Sequence, residues 1–211
     1  SPPMKGLQGK IELEAVCKAL SDLEVKVDRT TGLHIHHDAA DLTGKEIGAV
    51  VTLYAANQKA INYLVSPSRR GRNYGSSLSY DIVTENGTDK FNGHGNERDE
   101  VRSKVIGRLG RFGSTRYNAV NLLALAHHGT IEFRQHQGSI DATKIWNWVL
   151  FTQSFMEASK ETTKMPKETK GQQGNRSPFS VLRRAVKISP TDNNNHPDTK
   201  VYQDAFRFFS E

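Results

Sequence analysis

Apolar residues recur at Ile11, Leu13, Val16, Cys17 and Leu20, the spacing of a helix over 10–23 with one buried stripe. Val25 and Val27 alternate with Lys26 and Asp28, which predicts a short strand. The run Gly32-Leu-His-Ile-His-His37 alternates too, with Leu33 and Ile35 on one face and His34 and His36 on the other. Thr43 followed three residues later by Glu46 has the form of a capping box. It predicts a helix over 43–64 carrying Ile47, Val50, Val51, Tyr54, Ile61 and Leu64 and ended by Pro67. Residues 66–95, rich in Ser, Arg, Asn and Gly, read as a long functional loop, and 97–108 as a charged amphipathic helix. Residues 117–125 and 130–135 read as strands. In the second, Ile131 and Phe133 oppose Glu132 and Arg134. Asp141 is placed to cap a helix over 142–160 whose inward members are Ile145, Trp148, Val149, Phe151 and Phe155. Two short helices follow, near 179–186 and 201–209.

These elements predict an α+β domain over 1–160, a Lys-, Thr-, Gly- and Gln-rich linker or lid over 161–178, and a helical extension over 179–211. With 211 residues, one main domain is the natural division. No apolar run is long enough to span a membrane. One cysteine excludes an internal disulfide framework and a Cys-rich zinc module, and suits a reducing cytoplasm. The net charge of +6 changes the picture more. Between Arg69 and Arg116 ten Lys and Arg stand against six Asp and Glu, so +4 of the +6 lies in this stretch. A local basic field favours an anionic partner, either nucleic acid or a phosphorylated small molecule.

Three stretches carry candidate chemistry. On a strand His34 and His36 point the same way, and Asp38 continues that face. Two such imidazoles reach one metal or one phosphate, or else they form a solvated strand end. Glu132, Arg134 and His136 alternate in the same manner, setting a carboxylate beside a guanidinium. The plain alternative is a cross-strand ion pair. In Arg116-Tyr-Asn-Ala-Val-Asn121, Arg116, Asn118 and Asn121 can reach phosphate and carboxylate oxygens, although an Asn often only satisfies a loop. Arg69, Arg70 and Arg72 suggest a mobile basic loop. Glu12-x-Glu14 sits on a helix, where residues two apart do not share a face, so it is a decoy, and Cys17 falls on the apolar stripe. There is no phosphate-loop motif and no dinucleotide-binding glycine run.

With Ser-Pro-Pro at its start, Gly-Leu-His-Ile-His-His-Asp, Arg-Tyr-Asn-Ala-Val-Asn-Leu and Gly-Thr-Ile-Glu-Phe-Arg-Gln-His-Gln-Gly-Ser-Ile-Asp, the sequence resembles the amidoligases over roughly residues 1–155. These are phage- and bacterial-type carboxylate–amine ligases related in fold to glutamine synthetase and glutamate–cysteine ligase. The resemblance implies an antiparallel sheet with helices packed on one face, and ATP and Mg2+ held on the other. It implies amide formation through an acyl phosphate, from small-molecule or peptide carboxylate and amine substrates. Carried over by position, His34 and Glu132 are the expected metal ligands, and His36 the expected nucleotide-phosphate contact. Arg134 and Arg116 are expected to neutralise the transferring phosphoryl group, with Asn118 and Asn121 as further contacts to nucleotide or substrate. The family pattern opens with a Glu-x-Glu strand ahead of Ser-Pro-Pro. The expectation is therefore an N-terminally incomplete piece, or a degenerate ligase with an incomplete metal site.

Two other classes compete. A basic nucleic-acid-binding domain would rest on the Arg-rich loop and show salt-sensitive binding; it leaves the two-strand His/Glu/Arg set unexplained, and nucleic acid is the less expected partner. A metal-dependent hydrolase would use His34, His36 and Glu132 without ATP.

Overall fold

The structure, a computed structural model, describes residues 1–70 and 118–161. Its helices are α1 (Gly6–Asp22), α2 (Gly44–Ile61), α3 (Ala124–His128) and α4 (Ala142–Lys160), and its strands are β1 (Gly32–Asp38), β2 (Val120–Asn121) and β3 (Thr130–Gln137). The helices predicted at 97–108, 179–186 and 201–209, Arg72, Arg116, and the linker beyond Glu161 lie outside the described residues.

Local sequence sets the helix starts. The capping box of α2 forms on both sides: Thr43 Oγ1 accepts from the Glu46 backbone N–H, and Glu46 Oε2 accepts from the Thr43 backbone N–H at 2.6 Å. Asp141 caps α4 by accepting from the Lys144 N–H at 3.0 Å. α2 is buried almost all round, and two of its polar side chains bond back to the helix. Thr52 donates to the Gly48 carbonyl and Asn57 to the Leu53 carbonyl.

The described strands form a three-stranded antiparallel sheet in the order β1-β3-β2. Helices α2 and α4 cover one side of it. Phe133 in β3 meets Tyr54 of α2 at 5.5 Å between rings, Tyr54 meets Phe155 of α4 at 5.2 Å, and Ile131, Trp148 and Phe151 complete the buried centre. No helix among the described residues is long and apolar enough to cross a membrane.

β3 contains one extra residue. Leu33 pairs with His136 but Ile35 pairs with Phe133, so one residue of β1, His34, stands opposite two of β3, Arg134 and Gln135. Such a bulge reverses the alternation beyond it. Arg134 stays with Glu132 on the side away from α2 and α4, whereas Gln135 and His136 are both fully buried. His136 is thereby removed from the face predicted for it. Its ring lies 4.7 Å from that of Trp148 and its Nδ1 meets the Gln137 carbonyl at 2.7 Å.

Other expectations are corrected as well. Val25 and Val27 belong to no strand; Glu24 takes a left-handed φ of 53° just after α1, and no described strand pairs with residues 25–28. The strand predicted over 117–125 shrinks to Val120–Asn121, because the Asn121 side chain accepts from the Leu123 N–H and turns the chain into α3. α1 exists, but Cys17 is the only member of its apolar stripe that is buried, and Ile11 and Val16 stay half exposed. Arg69 is 2% exposed rather than part of a solvated loop. Its Nη2 donates to the carbonyls of Thr30 and Thr31, fastening the entry to β1. Arg70 is exposed and donates to the Val65 carbonyl.

Candidate active site

The central strand carries the site. Glu132 of β3 faces His36 of β1 on one side and Asn121 of β2 on the other, each directly opposite in the ladder. Directly opposed residues share a face, so the three form a row across the sheet. Arg134 follows on the same face of β3, and His34 approaches from β1 where the bulge begins.

The row converges on one carboxylate. Arg134 Nη1 donates to Glu132 Oε1 at 2.7 Å and His34 Nδ1 meets the same oxygen at 3.0 Å. Asn121 Nδ2 donates to Oε2 at 2.7 Å. His36 Nε2 stands 3.7 Å from Oε1, while its Nδ1 is held by Thr130 Oγ1 at 2.8 Å. The Glu132 side chain is only 5% exposed. Burial pushes its carboxyl up, but the hydrogen bonds from His34 and Asn121 and the charge of Arg134 outweigh that and hold it down to about 2. It is an anion at any physiological pH.

Burial also lowers His36 below the ordinary imidazole value. Glu132 opposes that shift, and His128, His34 and Arg134 add to it. His128 lies edge-on to His36 at 5.7 Å, with His127 6.2 Å beyond it. Strand and motif patterning does not single out these two histidines; the adjacent pair just before Gly129 is the signal that could have found them. Gly129 ends α3 at φ 65°, a conformation suited to glycine.

The structure thus gathers His34, His36, Asn121, Glu132 and Arg134. Asn118 lies half-buried just ahead of β2. Asp38 turns away to accept from the Ala40 N–H. Glu12 and Glu14 pair along the surface of α1 with Gln8 and Lys10.

The donor set does not fit a magnesium ion. Mg2+ demands oxygen ligands in near-octahedral order, and here one carboxylate, already holding three donors, stands among imidazoles and a guanidinium. Among the described residues no three His, Cys, Asp or Glu side chains are placed to hold a metal. An anionic oxygen is the better match to a face lined by Arg134, His34 and His36.

The chain is thus an α+β domain whose sheet has helices on one side and a charged cross-strand row on the other. The family described as putative amidoligase enzyme matches residues 1–156, and the chain belongs to that family. No curated protein and no solved structure matches the chain.

Proposed function

We propose that the chain is an ATP-dependent carboxylate–amine ligase built on a sheet of the glutamine synthetase type. The observation that carries this reading is the row His36–Glu132–Asn121 with Arg134 and His34 converging on it, in a chain of the amidoligase family. ATP would supply the phosphoryl group that activates a substrate carboxylate. Arg134 would bind the anionic oxygens and offset the charge that builds on them as the carboxylate oxygen bonds to the terminal phosphorus and ADP leaves with the electron pair of the broken P–O bond. His36, fixed by Thr130, contacts the phosphate side of the site. Asn121 acts through Glu132. When the amine nitrogen bonds to the activated carbon, phosphate departs with the electron pair and the amine gives up a proton. Mg2+ would enter this reading only as the companion of ATP. The acid and amine are small molecules or peptide groups.

The alternatives gain nothing from the fold. The nucleic-acid reading loses Arg69 to the core. The hydrolase reading needs a metal-holding set that the described residues do not form.

The test is amine-dependent ADP formation by the full-length protein, and its loss in Glu132→Gln with the fold intact. Full ADP formation in Glu132→Gln would show that the site is misassigned. Phosphate release without amine dependence would remove the ligase reading itself.

A further inference from the structure

The magnesium mismatch has a structural cause that reaches past the proposed activity. Glu132 lies in the middle strand, nearly sealed from solvent, and its two oxygens have about four lone-pair directions between them. Three are filled by described residues: Arg134 Nη1 and His34 Nδ1 on Oε1, Asn121 Nδ2 on Oε2. A metal ligand of this kind ordinarily offers free oxygens.

The histidines are committed as well. His34 turns Nδ1 to Glu132. Its Nε2 is folded back on its own strand, 3.2 Å from where a side chain on Gly32 would begin. His36 has Nδ1 on Thr130, leaving Nε2 near Oε1. A dication bridging His34 and Glu132 would have to break the His34 bond and sit against the Arg134 guanidinium, a like charge already bonded to the same oxygen at 2.7 Å.

We infer that Glu132 is an internal counter-ion and positioning residue, which fixes Arg134, His34 and Asn121 through its carboxylate, and that Arg134 excludes divalent cations from it. The residue that the family resemblance marks as a metal ligand is, in this chain, the anchor of the cationic side of the site. The role of Arg134 towards ATP rests on the ligase reading, but metal occupancy is measured without turnover, so the failure of one is distinguishable from the failure of the other.

The experiment uses the full-length protein with 13C-labelled histidine, and Mn2+ alone as a paramagnetic probe. In the wild type, Mn2+ up to the millimolar range is expected to broaden the His34 ring signal no more than random collision does. In Arg134→Gln, which takes the guanidinium away from Oε1 and leaves only His34 on it, selective broadening of His34 and His36 is expected at Mn2+ concentrations at least tenfold lower. That gain should vanish in the Arg134→Gln, Glu132→Gln double variant. Selective broadening of His34 in the wild type at sub-millimolar Mn2+ would overturn the inference. So would an Arg134→Gln protein, folded by its amide dispersion, that responds to Mn2+ no differently from the wild type. If Arg134→Gln does not fold, Arg134→Lys serves instead. The shorter ammonium cannot make the same contact, and it should show a smaller gain in the same direction; no gain in that variant would equally overturn the inference.

Discussion

At the scale of a residue, the unusual object is a nearly buried carboxylate that stays ionised. Desolvation alone would raise Glu132 above the ordinary carboxylate value; three directed donors reverse that and hold it at about 2. Each donor is therefore testable. Asn121 donates to Oε2 and accepts from the Leu123 N–H, so Asn121→Ala strips both bonds from a buried place. It should destabilise the fold by about 2 kcal/mol and raise the Glu132 pKa, read from the pH dependence of its carboxyl 13C shift; an unmoved titration would show that Asn121 is a bystander. Gly32 matters for a different reason. A methyl group there would begin 3.1 Å from Arg69 Nη1 and 3.2 Å from His34 Nε2. One of the two must move, so Gly32→Ala should weaken the His34–Glu132 contact, seen as a changed His34 ring shift in a folded protein. An unchanged shift would mean that Arg69 alone yields.

At the scale of an element, the bulge in β3 decides which residues belong to the site. Period-two alternation places Glu132, Arg134 and Gln135 correctly and fails at His136, because nothing in Arg-Gln-His announces an extra residue. The bulged Gln135 is held from three directions. Tyr54 donates to its Oε1 at 2.8 Å, and its Nε2 donates to Asn62 Oδ1 at 2.6 Å and to the Arg69 carbonyl at 3.4 Å. Those partners lie 66 to 81 residues away in sequence, so no local pattern reveals them. Gln135→Leu should leave the buried Tyr54 hydroxyl and Asn62 amide without this partner and cost roughly 3 kcal/mol in urea unfolding, whereas Tyr54→Phe should cost about 1 to 2 kcal/mol. A neutral Gln135→Leu would mean that the bulge is fixed by the ladder alone. The helix starts, by contrast, are legible at Thr43 and Asp141, because a cap is a local bond between near neighbours. The failure at Val25–Val27 has one cause, that alternation signals a strand only where a neighbouring strand supplies the ladder, and the failure beyond Asn121 another, the side-chain bond to the Leu123 N–H that turns the chain although β3 continues alongside.

At the scale of the molecule, the pairing of a buried helical side with a charged side makes stability depend on pH in two adjoining windows. On the helical side His37, bonded to Thr152 of α4, and His136, against Trp148, are both driven down to about 4, chiefly by burial. Their ordinary value is 6.5. Between 6.5 and 4 the unfolded chain takes up protons that the folded chain refuses. Their stabilisation is thus complete above about 6.5 and is lost as the pH falls to about 4, on the order of 3 kcal/mol for each. On the other side Glu132 moves from 4.5 to about 2. Its contribution is complete above 4.5 and drains away as the pH falls towards 2. Urea midpoints taken from about pH 7.5 to 3 should therefore begin to fall below about 6.5, well above the carboxylate range, and continue falling without a plateau. His136→Gln should make the first window shallower and leave the second, while Glu132→Gln should flatten the second and leave the first. A wild-type midpoint constant down to about pH 5 would mean that the two histidines find protons in the folded state, and that the helical side of the sheet is less sealed than the packing of Trp148, Phe133 and Thr152 around them requires.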